Sequence, residues 1–127
     1  MNKRVILTID DSSAIRQAIK EILTEAGFQV IEAKTGREGL AELNGKEIHL
    51  ILLDLNMPEM DGYEFLKIFH SDPKYLTYLR TPVIILTTEV DPKNKLKTKE
   101  LGAYGWIGKP FNPKSLIDTV SEHCLKD

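Results

Sequence analysis

The sequence is poor in the features that mark several common classes of protein. Cys124 is the only cysteine among 127 residues, which excludes an internal disulfide and a cysteine-built zinc site and fits a reducing cytoplasm. The first apolar run, residues 5–9, is broken by Thr8 and stopped by Asp10, and is too short for an export signal or a membrane span. Lys and Arg number 17 and Asp and Glu 19, a net charge of −2 with no basic excess to hold nucleic acid. We therefore expect a cytoplasmic protein that binds neither membrane nor nucleic acid.

Length and composition are those of an ordinary globular domain. Hydrophobic residues make up 42% and charged residues 28% of the chain. A chain of this length can bury a substantial core as one unit. The sequence contains no internal repeat, low-complexity tract or flexible linker. We expect one domain over residues 1–127, with no output domain attached.

Two kinds of apolar segment alternate along the chain. Short β-branched runs predict strands, and stretches with helical periodicity lie between them. The predicted strands cover residues 5–9, 30–31, 50–53, 83–86 and 104–107.

Helix starts and stops are marked by capping residues. The first helix carries an apolar stripe from Ile15 to Ala26 and is stopped by Gly27. The second is predicted from the capping box that begins at Thr35 to Gly45. The remaining three helices are predicted to begin at Asp61, at Asp91-Pro92 and at Asn112-Pro113, with Asp61 a helix cap rather than a ligand.

Strand–helix alternation predicts a parallel sheet covered by helices on both faces. The first, third and fourth strands are continuously apolar, as central strands are, whereas the second and fifth are mixed, as edge strands are. This predicts an α/β fold with a doubly wound (βα)5 sheet of the flavodoxin-like kind and strand order 2-1-3-4-5.

This topology places several polar side chains at one end of the sheet. Ligands of such sheets bind at the carboxyl ends of the strands, where the winding reverses. Asp10 and Asp11 leave the first strand there, Asp54 leaves the third, and Thr87 and Lys109 end the fourth and fifth. A cluster of hard oxygen ligands favours Mg²⁺ (or Mn²⁺) over zinc or copper. A carboxylate nucleophile with a cation, a lysine and a hydroxyl suits phosphoryl transfer onto aspartate.

Over essentially its whole length the chain resembles the receiver domains of response regulators. The pieces that carry the resemblance are Asp10-Asp11, LLDLNMPEMDG, VIILTTE and Lys109-Pro110-Phe111, each at the end of the expected strand. The resemblance implies that Asp54 accepts a phosphoryl group from a histidine kinase. It implies that Asp11, Asp54 and the backbone carbonyl of Asn56 hold Mg²⁺, with Asp10 acting largely through a bound water. It also implies that Lys109 and Thr87 contact the phosphoryl oxygens, and that the Lys109–Pro110 bond is cis.

Within that family the chain is similar to the chemotaxis CheY subgroup, on the segments DLNMPEMDGYE, DPKYLTYLRTP, TTE and GWIGKPFNP. This implies a monomeric signalling switch rather than an enzyme. Its implied partners are a chemotaxis-type histidine kinase, a downstream protein such as a flagellar motor switch component, and a possible phosphatase. Asn56 and Glu89 occupy the positions that tune dephosphorylation. Trp106 stands where the switch aromatic is commonly Tyr or Phe, and Thr88 where a smaller residue is common.

Other functions remain open at this point. A receiver of the same fold could pass its phosphoryl group to a histidine phosphotransfer protein. A phosphatase of the haloacid-dehalogenase type also uses an aspartate, Mg²⁺, a threonine and a lysine, but it requires Asp-x-Asp on the first strand. Flavin binding would require a phosphate-cradling loop after the first strand, where this chain has two acids.

Several residues have simpler predicted roles. Cys124 is expected to pack in the core, and the three histidines, at positions 49, 70 and 123, to be structural or exposed. The fourth helix has a thin predicted apolar stripe of Leu96 and Leu101. Its alternate lysines, from Lys93 to Lys99, are expected to be solvated. The second interpretation is that they form a docking surface.

Overall fold

The structure is a computed structural model that describes residues 3–88 and 91–125. Five strands alternate with five helices. The strands are β1 (Val5–Ile9), β2 (Gln29–Ala33), β3 (Leu50–Asp54), β4 (Val83–Thr87) and β5 (Gly105–Gly108). The helices are α1 (Ser13–Glu25), α2 (Gly36–Glu42), α3 (Gly62–Ser71), α4 (Pro92–Glu100) and α5 (Pro113–His123). A 3-10 helix over Pro73–Tyr78, which the sequence did not predict, joins α3 to β4.

The sheet confirms the predicted topology. Its strands are all parallel, in the order β2-β1-β3-β4-β5. The register pairs Ile9 with Leu53, Asp54 with Leu86, and Thr87 with Gly108. The carboxyl ends of β1, β3, β4 and β5 therefore meet along one edge of the sheet.

Two apolar layers cover the sheet. One face packs against α2 and α3, with Phe65 and Phe69 fully buried. The other packs against α1 and α5 and includes Leu23, Val120 and the single cysteine, Cys124, whose predicted core position is confirmed. Central strands buried on both faces explain why β1, β3 and β4 are continuously apolar.

Four of the helix starts follow the predicted caps, whereas Ser12, the cap of α1, was not predicted from the sequence. The side chain of each capping residue accepts a hydrogen bond from the backbone N–H three residues later, which satisfies a donor that the helix leaves free. The caps are Ser12, Thr35, Asp61, Asp91 and Asn112.

The end predicted for the second helix is wrong. α2 ends at Glu42 and not at Gly45. Leu43 leaves the helical conformation with ψ 65 and is buried in the core. The backbone N–H of Gly45 donates to the Tyr78 hydroxyl at 2.8 Å, so a contact with the 3-10 helix replaces the last helical turn.

The predicted apolar stripe of α4 is also partly wrong. Leu101 packs against the core, but Leu96 is 60% exposed. The residue that α4 buries completely is Thr98, whose hydroxyl donates to the Asn94 carbonyl oxygen at 2.8 Å. The lysines of this helix are exposed, as the solvated interpretation predicts. Among the described residues, no helix combines the length and apolar character that a bilayer crossing requires.

Gly102 offers a test of the packing below α4. Its φ is +103, and a Cβ there would lie 2.6 Å from the His70 ring. Gly27 has a similar φ of +98 but open space around it. We expect Gly27→Ala to lower the free energy of unfolding by about 1–2 kcal/mol through backbone strain alone. Gly102→Ala should cost about 1–3 kcal/mol more because of the clash. Urea unfolding of both variants measures the difference, and equal losses would contradict the His70 contact.

Candidate functional site

Three aspartates meet at the carboxyl edge of the sheet. Carboxylate oxygens of Asp10, Asp11 and Asp54 all lie within 4.8 Å of one another. Asp10 is 1% exposed and Asp54 4%, whereas Asp11 faces solvent. Two buried acids beside an exposed one form a negatively charged recess that is open on one side, as the sequence predicts.

The turn after β1 is fixed by hydrogen bonds to Asp10. One of its carboxylate oxygens accepts from the Ser12 N–H at 2.9 Å, and its own N–H donates to the Ala33 carbonyl oxygen. The Arg16 guanidinium donates to the Asp10 backbone oxygen at 2.7 Å and pairs with Glu32 at 3.3 Å. Arg16 is a residue of the site that was not predicted from the sequence. Its signal is a cation one turn into the helix that follows an acidic pair.

Lys109 is the cation of the recess. Its ammonium nitrogen lies 2.8 Å from an Asp10 oxygen and 3.4 Å from an Asp54 oxygen. Burial acts to lower the pKa of Lys109, but the hydrogen bond and charge of Asp10, with the charge of Asp54, outweigh it and raise that pKa. The Lys109–Pro110 bond is cis, as the resemblance implies. Lys109 is therefore a fixed positive charge between two buried carboxylates.

Asp54 is an unusually weak acid. Its pKa is raised from 3.8 to about 6, first by burial and then by the nearby charge of Asp10. The Lys109 charge and the Asn56 N–H, which donates to Asp54 at 3.2 Å, oppose this rise without cancelling it. Burial and like charge both penalise the ionised form. The recess thus holds more negative charge than its own lysine offsets.

The loop after β3 is held close to Asp54. The Gly62 N–H donates to the Leu55 carbonyl oxygen at 3.0 Å, and a Cβ at Gly62 would lie 2.9 Å from the Asp54 backbone oxygen. Asp61 caps α3, which confirms its predicted role. Asn56 is exposed at the start of this loop. That its carbonyl binds a metal stays a prediction.

Thr87 and Trp106 lie on adjacent strands. Thr87 is buried at the end of β4, and its carbonyl oxygen accepts from the Lys109 N–H at 2.8 Å. Ile85 pairs with Trp106 in register, so Thr87 and Trp106 lie on the same face of the sheet. Thr88 is exposed. The predicted rate-tuning residue Glu89 lies outside the described residues.

The donors of the recess suit a hard cation. All three candidate ligands are carboxylates, and among residues 3–88 and 91–125 this is the one group of three acidic, His or Cys side chains arranged to hold a metal. His49 has a structural role, because its Nδ1 accepts a hydrogen bond from the Val5 N–H at 2.9 Å inside the core. Oxygen-only ligands favour Mg²⁺. The buried excess negative charge is what a divalent cation would neutralise.

The raised pKa of Asp54 predicts a pH-dependent stability in metal-free protein. Because the folded state binds this proton more tightly, the contribution of Asp54 is favourable below about pH 4 and is lost as the pH rises through about 6. A rise from 3.8 to about 6 corresponds to roughly 3 kcal/mol at pH 8. Asp54→Asn should therefore raise the free energy of unfolding by about 1–3 kcal/mol at pH 8 and by little at pH 4. Urea unfolding in chelator at both pH values measures this, and a variant less stable at pH 8 would contradict it.

Comparison with known proteins identifies this arrangement. The response regulator receiver domain family model matches residues 6–121. The chain belongs to this family. Receiver domains generally bind Mg²⁺ at an acidic pocket, and in this chain Asp10, Asp11 and Asp54 form an acidic cluster. The fold and family are those of a signalling switch.

Its structural neighbours are CheY-like receiver domains. The chemotaxis response regulator CheY4 of Vibrio cholerae superposes with a TM-score of 0.86 at 40% identity, covering 95% of this chain and 98% of that one. A CheY-like receiver domain protein from Methanospirillum hungatei superposes with a TM-score of 0.85 at 31% identity, covering 95% and 93% of the two chains.

Curated relatives carry the same domain in longer proteins. The sensor histidine kinase CheAY of Helicobacter pylori is 36% identical over 96% of this chain and 15% of its own length. The probable transcriptional regulator ycf29 of Porphyra purpurea is 31% identical over 96% of this chain and 57% of its own. The chain spans about half, or less, of the length of the curated relatives it matches.

Proposed function

We propose that this protein is a signalling switch that is activated when Asp54 accepts a phosphoryl group. The observation that carries the proposal is the placement of Lys109 between two buried carboxylates, 2.8 Å from Asp10 and 3.4 Å from Asp54. The carboxylate that reacts must not be held in a close ion pair, and Asp54 is the more distant of the two from Lys109. The Lys109 ammonium lies where negative charge would develop on a transferred phosphoryl group. The exposed Asp11 marks the open side, from which a donor can approach.

The residues divide the chemistry among them. An Asp54 carboxylate oxygen attacks phosphorus as the bond from phosphorus to the donor breaks; the donor is a phosphohistidine of a kinase or a small acyl phosphate. Lys109 binds the phosphoryl oxygens, and the buried Thr87 hydroxyl moves to donate to one of them. Attack by water on the acyl phosphate restores Asp54 and releases inorganic phosphate. Asn56 and Glu89 are proposed to set the rate of that hydrolysis.

Asp10, Asp11, Asp54 and the Asn56 carbonyl are proposed to hold Mg²⁺ (or Mn²⁺). When bound, the cation neutralises charge on the carboxylates and on the transferred group. This proposal is supported by the pKa of Asp54, which stays raised despite the nearby charge of Lys109.

Phosphorylation is proposed to act on the face formed by α4, β5 and α5. It adds about 1.5 to 2 negative charges and three acceptor oxygens at Asp54. Once Thr87 moves toward them, Trp106 can move into the space it leaves on the same face of the sheet. The exposed lysines of α4 and the exposed Leu96 would then present a changed surface to a partner.

A role in chemotaxis is the finer proposal. It is supported by the likeness to CheY4 over nearly the full length of both chains and by the kinase named CheAY among the relatives. We propose that residues 1–127 form a cytoplasmic, monomeric receiver domain. Its donor would be a chemotaxis-type histidine kinase and its target a protein such as a flagellar motor switch component, with a phosphatase to end the signal. Transfer of the phosphoryl group onward to a histidine phosphotransfer protein is the alternative that the same site would support.

Phosphotransfer assays separate these two functions. Labelled protein is mixed either with a motor switch component or with a histidine phosphotransfer protein. The chemotaxis proposal predicts that phosphorylation increases binding to the first and that no label moves to the second. Rapid transfer of label to histidine would instead establish a relay. Multiple turnover on an external phosphomonoester would favour the phosphatase, although the acids of β1 are adjacent here rather than spaced as Asp-x-Asp.

A further inference from the structure

Helix α4 buries little apolar surface against the domain. Thr98 is the residue that it buries, at 0% exposure, and Leu96 points to solvent. An element with little buried apolar surface depends on its polar contacts to stay in place. The contacts of its inner face therefore decide how easily it moves.

One of these contacts comes from α3. The Tyr63 hydroxyl donates to the Asn94 side-chain oxygen at 2.7 Å. The Tyr63 ring also faces the Lys97 ammonium, 4.1 Å from the ring centroid. Tyr63 thus binds α4 both through a hydrogen bond and through a cation–π contact.

The matching contact comes from β5. The Trp106 indole N–H donates to the Thr98 hydroxyl oxygen at 2.6 Å. The Trp106 ring faces the Lys95 ammonium at 5.8 Å. Tyr63 and Trp106, on different elements, therefore contact α4 in the same way, each through a hydrogen bond and a cation–π contact. We call these two residues and their hydrogen-bond partners, Asn94 and Thr98, the aromatic clamp.

Both aromatic residues of the clamp are connected to the acidic recess formed by Asp10, Asp11 and Asp54. Tyr63 follows Gly62, whose backbone packs against the Asp54 backbone oxygen. Trp106 shares a sheet face with Thr87, which accepts a backbone hydrogen bond from Lys109. A change at Asp54 can reach α4 by either side.

We infer that the aromatic clamp opposes the switch, and that Tyr63 and Thr98 are positioning residues that set its equilibrium. This inference rests on the proposed function, in which Trp106 moves toward Thr87. That movement takes the indole N–H away from Thr98, and the hydrogen bond is lost. The stronger the clamp, the smaller the fraction of molecules that adopt the switched arrangement.

The size of the effect follows from the hydrogen bonds. The net contribution of one intramolecular hydrogen bond corresponds to about a three- to tenfold change in an equilibrium constant. A ligand that selects the switched arrangement then binds more tightly by the same factor when the bond is removed. Tyr63→Phe removes the bond to Asn94 with little change of shape. Thr98→Val removes the bond from Trp106 and also the bonds that the Thr98 hydroxyl donates to carbonyl oxygens within α4.

The experiment titrates beryllofluoride, a phosphoryl mimic, into the full chain at saturating Mg²⁺ by calorimetry. We expect Tyr63→Phe and Thr98→Val each to lower its dissociation constant about three- to tenfold. Mg²⁺ binding alone should be unchanged in both variants, which a general structural defect would not predict. Thr98→Ser keeps the hydroxyl and should restore the wild-type value. Tyr104→Phe, at an exposed tyrosine that is not part of the clamp, is the matched control.

The outcomes separate the clamp from the function on which it rests. If wild type and both clamp variants bind beryllofluoride equally, or the variants bind it more weakly, the clamp does not oppose the switch. If the wild type binds no beryllofluoride in Mg²⁺, the proposed function fails and the clamp's role fails with it. Should Thr98→Val fold poorly, Tyr63→Phe alone decides, since its ring remains in place.

Discussion

Asp54→Asn is expected to lose phosphorylation by acetyl phosphate almost completely, by at least about 10³-fold in rate. The amide keeps the size and position of the side chain but supplies no carboxylate oxygen to attack phosphorus. Neither Asp10 nor Asp11 should substitute, because Asp10 is buried in an ion pair with Lys109 at 2.8 Å and Asp11 faces solvent. Intact-mass analysis after incubation with Mg²⁺ and acetyl phosphate measures the loss.

The residue that caps α3, Asp61, provides a matched control. Asp61→Asn makes an identical chemical change seven residues along the chain, at an exposed helix cap that asparagine also fills well. It should accept phosphoryl groups at close to the wild-type rate. Phosphorylation of Asp54→Asn at a rate comparable to that of Asp61→Asn would show that Asp54 is not the acceptor.

Lys109→Met has the second largest expected effect. It should slow phosphorylation but increase the affinity for Mg²⁺. Removing a charge aimed at the transferred group should slow phosphorylation about 10²–10³-fold. Mg²⁺ should bind more tightly, because two buried carboxylates lose their own cation at 2.8 and 3.4 Å. Stopped-flow phosphorylation and Mg²⁺ titration give the two quantities separately.

Lys114→Met is the control for this pair of effects. Lys114 also forms an ion pair at 2.8 Å, with Asp118, but both residues are exposed on α5. Surface pairs of this kind contribute little. Neither phosphorylation nor Mg²⁺ affinity should change. Weaker Mg²⁺ binding by Lys109→Met would mean that the lysine organises the recess rather than competes with the metal.

The rim of the sheet could be predicted because parallel topology itself brings strand ends together. Once β1, β3, β4 and β5 are placed in order, Asp10, Asp54, Thr87 and Lys109 must meet at one edge. Helix starts were equally accessible, because each cap is a local hydrogen bond within four residues. These features depend on the pattern and on short spacings.

Features that depend on distant partners were not predictable in the same way. α2 stops early because Gly45 bonds to Tyr78, which lies 33 residues away. The apolar character of Leu96 predicts that it packs against the core, but Thr98 takes the buried position of α4, where its hydroxyl accepts a hydrogen bond from Trp106. Arg16 donates to a backbone oxygen, a contact for which the sequence holds only a weak signal, a cation one turn into the helix that follows an acidic pair.

The most direct test of the account is to locate the phosphoryl group. Protein incubated with Mg²⁺ and acetyl phosphate is digested, and the modified peptide is sequenced by mass spectrometry with and without hydroxylamine, which cleaves acyl phosphates but not phosphate esters. The account predicts one phosphoryl group per chain, on Asp54, dependent on Mg²⁺ and removed by hydroxylamine. A group on any other residue, or folded protein that acquires none in Mg²⁺, would contradict it.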